Sequence, residues 1–177
     1  MLVAHEKRFT ELKKILIISD THMPKKGTVF PEPIRDILRN EIDYIFHAGD
    51  WTAQSVYEEL KTYAPVYGVK GNVDKEDWSK TLPEKVLVDM EDIKIAMVHG
   101  HLGKGRSTPE RAYRECEGDQ ADLIIFGHSH IPFHERKGNT ILFNPGSPTD
   151  KRRQRRFSYG IAMIDQSSII LNHHYFS

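Results

Sequence analysis

Five short apolar runs along this chain each end in polar side chains that can bind metal ions. The first run, residues 15–18, is rich in β-branched residues, as is typical of a strand buried on both faces. The carboxyl ends of strands in an α/β sheet form its usual ligand crevice, so we expect the five polar groups to meet at one edge. These groups are Asp20-Thr21-His22, Gly49-Asp50, Gly71-Asn72, His99-Gly100-His101 and Gly127-His128-Ser129-His130.

The first half of the chain alternates between strand and helix patterns. After the strand at 15–18, apolar residues recur at helical spacing over 33–40 and again over 53–63. Strands are predicted at 44–48 and 66–70. Successive strands joined by helices favour parallel crossover connections in a single sheet.

The second half is predicted to be mainly β and antiparallel, with one helix from Ser107 or Thr108 to about Cys116. The dipeptide Gly138-Asn139 is a hairpin turn signal between two of its strands. The strands expected here cover residues 85–89, 94–99, 123–126, 131–136, 140–144, 159–165 and 169–175. The fold class expected for the whole chain is α/β: a four-layer α/β/β/α sandwich of two mixed sheets with helices on the outside.

Length and composition limit the alternatives. The 177 residues are enough for one domain, expected at 14–177 after an N-terminal extension at 1–13. The 25 basic and 25 acidic residues cancel, which removes the overall positive field of non-specific nucleic-acid binders. The single Cys116 excludes an internal disulfide and a multi-thiolate metal site. Without a long apolar segment or a secretory signal, we expect a cytoplasmic protein with no membrane partner.

The residue types in the five groups predict the chemistry of the site. Imidazole, carboxylate and amide oxygen without thiolate suit Mn, Fe, Zn, Ni or Co, and seven such groups exceed the needs of one ion. Two ions about 3.5–4 Å apart can share a carboxylate and a hydroxide and neutralise charge on a phosphate. The sequence therefore predicts two divalent metal ions and hydrolysis of a phosphate ester.

In this order and spacing the five groups resemble the calcineurin-like metallophosphoesterase superfamily, whose motifs run D-x-H, G-D, G-N, H-G and G-H-x-H. The matching blocks lie between residues 20 and 130, and the resemblance extends from about residue 14 to the end. The short length and the segment Asn144-Pro145-Gly146-Ser147 are similar to the small bacterial and archaeal phosphodiesterase branch. That branch is similar in fold to the retromer scaffold subunit of eukaryotes.

The resemblance implies a role for each matching residue. Asp50 would bridge the two metals, and a bridging hydroxide would be the nucleophile. One metal would be held by Asp20, His22 and His130, and the other by Asn72, His99 and His128. The resemblance also favours manganese, is compatible with a homo-oligomer, and implies the same α/β/β/α sandwich.

One position departs from the family pattern. Val73 stands where many members have a histidine that protonates the leaving group or binds phosphate. A general acid typically contributes about 10²- to 10⁴-fold, so we expect a preference for phosphodiesters or for good leaving groups. His101 is the candidate that partly replaces it, which makes Asn72 and His101 the candidate catalytic and substrate-binding residues.

Two other functions stay open at the sequence level. A non-catalytic protein-interaction scaffold on the same fold would tolerate loss of metal-binding residues, whereas every such position is present here. A nuclease would use the basic run at 151–156, for which a solvated loop is the ordinary explanation. We therefore expect a small phosphoester substrate, with nucleic acid possible through 151–156 but not favoured.

Overall fold

The structure, a computed structural model, describes residues 11–40 and 42–177. Most of the extension expected at 1–13 lies outside the described residues, and the first strand begins at Lys13. The helices are α1 Glu32–Arg39, α2 Gln54–Lys61 and α3 Thr108–Glu115, and Asp77–Thr81 forms a 3-10 helix. The strands are β1 Lys13–Ile18, β2 Tyr44–His47, β3 Val66–Gly68, β4 Lys85–Met90, β5 Ile93–Val98, β6 Leu123–Ile125, β7 Phe133–Lys137, β8 Thr140–Asn144, β9 Phe157–Asp165 and β10 Ser168–Phe176.

The described strands form two mixed sheets of five strands each. The first has the order β10-β9-β1-β2-β3, in which β1, β2 and β3 are parallel and β9 runs antiparallel to β1. The second has the order β4-β5-β6-β8-β7, with β5, β6 and β8 parallel. Each sheet therefore has a parallel centre whose carboxyl ends can carry ligands.

Three apolar clusters hold the layers together. Alternate residues of β1 face opposite ways: Ile15 and Ile17 lie in the cluster between the sheets, while Leu16 and Ile18 pack against α1 and α2. A third cluster packs α3 on the outer face of the second sheet. The layers are helix, sheet, sheet and helix, so the predicted α/β/β/α sandwich of mixed sheets is confirmed.

The expectation of an antiparallel second half is correct for β4 and β5 but wrong for β5, β6 and β8, which are parallel. The helix α3 connects β5 to β6 as a crossover, which makes these two strands parallel neighbours. In addition, β9 and β10 belong to the first sheet, where β9 pairs with the edge of β1 that is not paired with β2. None of the described helices is long and apolar enough to cross a membrane.

Candidate metal centre

The strand ends bring the predicted metal-binding residues together. The loops after β1, β2 and β3 carry the candidates of the first sheet, and the loops after β5 and β6 carry those of the second. The residues brought together are Asp20, His22, Asp50, Asn72, His99, His101, His128 and His130. The centre therefore lies where the carboxyl ends of both sheets meet.

One group of donors consists of Asp20, His22 and His130. The Nε2 atoms of His22 and His130 lie 3.3 Å apart, and His130 Nε2 lies 3.5 Å from Asp20 Oδ1. Asp20 is fully buried, and both its carboxylate oxygens accept from the backbone N–H of His128 at 3.0 and 3.2 Å. The carboxylate is thus fixed by a loop of the opposite sheet.

The second group consists of Asp50, His99 and His128, with Asn72 beside them. His99 Nε2 lies 3.3 Å from Asp50 Oδ2. The amide oxygen of Asn72 lies 3.0 Å from both His99 Nε2 and His128 Nδ1. Asp50 Oδ2 also lies 3.5 Å from His22 Nε2, so this carboxylate contacts histidines of both groups.

The backbone at these residues is unusual. Asp20, His22, Asp50, His128 and His130 all have positive φ angles, between 45° and 69°. Such conformations cost free energy in non-glycine residues and cluster at functional sites, where the surroundings hold them in place. The sharp turns direct each side chain toward the centre immediately after its strand ends.

Burial and neighbouring charges move the pKa values of the two carboxylates in opposite directions. Desolvation raises the pKa of Asp20 to about 7 despite the nearby His99. Burial also disfavours the charged form of Asp50, but hydrogen bonding and the charge of His99 outweigh it and lower the pKa of Asp50 to about 2. Burial opposes protonation of His99, yet Asp50 and Asp20 raise the pKa of that imidazole to about 9. Without another cation, His99 is the counter-charge of the two carboxylates.

The other imidazoles are held in the neutral form that binds metals. Burial lowers the pKa of His128 and of His130 to about 4, and it also lowers the pKa of His22. His99 Nδ1 donates to the carbonyl of Ala48 at 2.7 Å, and His130 Nδ1 donates to that of Asp150 at 2.6 Å. These bonds leave the Nε2 atoms facing the centre, as is usual for histidines that bind metals.

The donor set fits divalent cations. No Lys or Arg of the described residues forms an ion pair with Asp20 or Asp50, whose only ionic partners are histidines. The donor atoms in each group lie within 4.8 Å of one another. Donor atoms that bind one ion through bonds of about 2.0–2.2 Å are separated from one another by distances comparable to those found in each group. Buried carboxylates that lack a fixed cation favour a bound metal ion in that position.

Asp74 is a positioning residue to which the sequence analysis assigned no role. Its buried carboxylate accepts from the backbone N–H groups of Asp50 at 2.9 Å, Thr52 at 3.0 Å and Gly71 at 2.8 Å. It thereby ties the loop after β2 to the loop after β3. The signal was its place three residues after Gly71, where an acidic side chain can cap the turn.

The segment after β8 was also quoted without a role. Ser147 Oγ donates to the carbonyl of Asp20 at 2.8 Å, and Thr149 Oγ1 donates to that of Thr21 at 2.6 Å. The amide of Asn144 donates to the Gly127 carbonyl at 2.8 Å and to Ser129 Oγ at 3.1 Å. These bonds fix the first and fifth motif loops to each other.

Two open cavities adjoin the centre. One, of about 490 Å³, is lined by Asn72 and His101 together with Lys70 and Lys75. The other, also of about 490 Å³, begins at Ser129, between the two histidines of the last motif. His101 lines the first cavity, and its buried Nδ1 has no hydrogen-bond partner among the described residues. Burial, followed by the charge of His99, lowers the pKa of His101.

An α/β/β/α sandwich with Asp, Asn and His donors at the strand ends of both sheets defines a class of metal-dependent domain. The family model of the calcineurin-like phosphoesterase superfamily domain matches residues 14–167. The chain belongs to that superfamily. The expected resemblance is confirmed, and the family supports activity as a metal-dependent phosphoesterase.

Curated relatives and a solved structure agree with this assignment. A probable metallophosphoesterase of Methanothermobacter thermautotrophicus is 38% identical over 136 residues, which cover 77% of each chain. Phosphodiesterase YfcE of Escherichia coli is 31% identical over 123 residues, which cover 65% of this chain and 62% of that protein. Vps29 of Entamoeba histolytica, solved in complex with zinc, has the same fold, with a TM-score of 0.75 at 24% identity over 93% of this chain and 99% of that chain.

Proposed function

We propose that the chain is a phosphodiesterase whose two donor groups each hold one divalent cation. Asp20, His22 and His130 form one site, Asn72, His99 and His128 form the other, and Asp50 lies between them. The contact of Asp50 Oδ2 with His22 at 3.5 Å and with His99 at 3.3 Å is the observation that carries this proposal. A carboxylate shared in this way is the arrangement expected of a two-metal hydrolytic site.

Two divalent cations bound there would lower the pKa of a water between them, so that it attacks phosphorus at neutral pH, and would neutralise developing charge on the phosphate. Manganese is the ion that we expect to activate best. The chain itself contributes the rigid placement of the donors. Because Asp20 and Asp50 are buried and held by backbone N–H groups, they need no rearrangement when substrate arrives.

Asn72 and His101 are the residues that we expect to contact the substrate phosphate. The amide oxygen of Asn72 faces His99 and His128, which leaves its N–H groups available to donate to a phosphate oxygen. The His101 ring lies 5.2 Å from that of His99, at the edge of the cluster, and its Nδ1 lacks a partner. Both side chains would thus hold the phosphate over the donors.

Two features favour a diester over a monoester. Val73 has no proton to give to a poor leaving group, and its side chain is 39% exposed beside Asn72. The cavity at Asn72 provides room for an ester group beside the cluster, and the cavity at Ser129 lies next to the last motif. YfcE, a relative of this chain, is a phosphodiesterase by name.

The test is metal removal followed by re-supply. The chelated chain should lose activity, and adding Mn should restore it most fully among Mn, Ni, Co, Zn and Mg. We expect higher kcat/KM for diesters than for monoesters with the same leaving group. Asp50→Asn keeps the shape of the side chain but removes its charge, and it should stay inactive at every metal concentration.

A scaffold is the second candidate because the fold is shared with Vps29. The same experiment distinguishes the two functions. A scaffold would show no turnover of any phosphoester after metal is restored, although it could still bind the ion.

A further inference from the structure

Five basic residues lie within residues 151–156, the second half of the segment that connects β8 to β9, here called the basic loop. They are Lys151, Arg152, Arg153, Arg155 and Arg156. Among the described residues, none of the four arginines forms an ion pair with an acidic side chain. In a chain with zero net charge, this basic loop is therefore a local, uncompensated concentration of positive charge.

The basic loop is fixed directly to the candidate metal centre. The carbonyl of Asp150, one residue before it, accepts from His130 Nδ1 at 2.6 Å. Arg152 follows two residues later, within about 7 Å of chain. The bond to His130 holds the start of the loop beside this histidine of the last motif, and so beside the site where a phosphate would bind.

Two neighbouring cavities lie along this loop. The first includes Ser129, between the two histidines of the last motif, and is lined by Lys151, Arg152 and Arg153, with the half-exposed Ile131 as its apolar wall. The second, of about 360 Å³, shares Arg153 with the first and is lined also by Tyr175. Cationic side chains therefore line both cavities, which together we call the groove.

An aromatic ring lies at the far end of the groove. Tyr175 on β10 is 45% exposed, and the guanidinium of Arg156 lies 4.8 Å from the centre of its ring. Alternating cations and an exposed aromatic ring are the features that bind single-stranded nucleic acid, in which phosphates contact cations and bases stack on rings. An acidic peptide or a flat anionic membrane surface would not require a ring at the end of a narrow groove.

We infer that this groove binds a single-stranded oligonucleotide and leads one of its phosphodiesters to the metal centre. The inference rests on the proposed phosphodiesterase function and names its substrate class. The phosphates past the reacting one would contact the arginines, and a base would stack on Tyr175. DNA and RNA share this chemistry, and the experiment compares the two.

Binding is tested by fluorescence anisotropy on the full-length chain with labelled eight-nucleotide DNA and RNA strands, in EDTA so that neither is cleaved. The double variant Arg155→Gln/Arg156→Gln should weaken binding on the order of tenfold at low salt. It should also reduce the slope of log Kd against log salt by about 1.4, because each phosphate contact of a single strand contributes about 0.7. The type of strand that binds more tightly, DNA or RNA, identifies the nucleic acid that the groove prefers.

Three further variants separate the contributions of base stacking and of the loop charges from general electrostatic attraction. Tyr175→Leu should weaken binding about fivefold or more, while Tyr175→Phe, which keeps the ring, should restore it. Lys61→Gln/Arg114→Gln removes two exposed positive charges on α2 and α3 and should leave Kd within about twofold of the unmodified chain. Equal affinities for the loop double variant and this control, or tighter binding to anionic vesicles than to the strands, would overturn the inference.

The catalytic arm separates failure of this inference from failure of the proposed function. With Mn, the ratio of kcat/KM for a six-nucleotide strand to that for a dinucleotide should fall about tenfold in the loop double variant. Hydrolysis of small diesters with no preference for the longer strand would reject the oligonucleotide groove alone. If the unmodified chain with Mn hydrolyses no diester at all, the phosphodiesterase proposal is rejected. The anisotropy measurement would still show whether the groove binds the strands.

Discussion

Asp20 and Asp50 are both aspartates of the same cluster, yet their surroundings shift their pKa values in opposite directions. The pKa of Asp20 rises to about 7 because desolvation dominates, whereas Asp50 has the charge and hydrogen bond of His99 and a pKa of about 2. At neutral pH, Asp50 is therefore fully ionised in the metal-free chain. This difference suits Asp50 for the position between two cations.

His101→Ala should lower kcat for alkyl phosphodiesters about 10²-fold and remove the alkaline limb of the pH–rate profile. A protonated imidazole is lost as the pH rises through its pKa, so an acid role for His101 produces that limb. Burial lowers the pKa of His101 in the free chain, and a bound phosphate anion would raise it again. The measurement is kcat against pH with alkyl and nitrophenyl diesters.

His101→Gln is the control for this prediction. It keeps a hydrogen-bond donor but has no proton to transfer, so a positioning role alone would be largely rescued by Gln. An unchanged rate and an unchanged alkaline limb in His101→Ala would show that the residue takes no part in the reaction.

At the scale of elements, the centre is a junction of loops rather than a property of any one strand. Asp74 connects the loops after β2 and β3, while Ser147 and Thr149 connect the segment after β8 to the loop after β1. The strands supply a rigid base, and these side chains supply the bonds between loops. Substitutions in the junctions should therefore affect metal affinity without removing a metal ligand.

Asp74→Ala should weaken metal affinity about 10- to 100-fold, as removal of a group that orients ligands typically does. It leaves three backbone N–H groups without their acceptor, which also destabilises the fold by about 3 kcal/mol or more, because each unpaired buried group costs about 1–3 kcal/mol. Metal titration by calorimetry and urea denaturation measure the two effects. Asp74→Asn keeps one acceptor oxygen, so its metal affinity should lie between those of the unmodified chain and of Asp74→Ala. If Asp74→Ala binds metal as tightly as the unmodified chain, the positioning role is contradicted.

His173 on β10 is expected to make stability depend on pH. Burial lowers its pKa below the usual 6.5, and its Nε2 donates to the carbonyl of Asn144 at 2.6 Å. The unfolded chain therefore binds more protons at acidic pH. The contribution of His173 to stability is present above about pH 6.5 and is lost as the pH falls through the lowered value.

The measurement is the free energy of unfolding in urea and EDTA between about pH 8 and pH 5, for the unmodified chain and for His173→Gln. Every other titrating group is common to both proteins, so the difference isolates His173. The unmodified chain should lose stability more steeply on acidification. Parallel curves would show that the imidazole does not titrate differently on folding.

At the scale of the whole molecule, the candidate metal centre lies where loops of the two sheets meet. Asp20 and Asp50 come from loops of the first sheet, and His99, His128 and His130 come from loops of the second. Cations bound by both sets would hold the two sheets together at one edge. Metal binding and global stability should therefore be coupled.

Saturating Mn at about 100 times its Kd should stabilise the chain by about 2.7 kcal/mol per site. For a domain of this size, that raises Tm by about 5–10 °C. The shift should be larger at pH 8 than at pH 6, since the histidines bind metal only when deprotonated. Differential scanning calorimetry measures it, and Asp50→Asn should lose most of the shift; equal Tm values with and without metal would contradict the coupling.

The sequence by itself determined the element types and the residues that could bind metal. Apolar periodicity is a local property, so the runs such as 15–18 and their polar ends were readable without any knowledge of distant contacts. The carboxyl-end rule then predicted that the donors gather at one edge, and Asp20, Asp50 and His99 lie there. Helix ends were predicted to within about two residues because apolar spacing is local, as are the first-turn proline of α1 and α3 and the Ser107 cap of α3.

Only the tertiary structure decided which strands pair and what holds the loops. Strand β9 joins β1 through residues more than a hundred positions apart, and nothing in its own pattern distinguishes that edge from one of the second sheet. The role of Asp74 and the placement of the basic loop beside His130 likewise depend on backbone groups that meet only after folding. Backbone hydrogen bonds carry no side-chain signature, so such long-range contacts leave no local pattern to read.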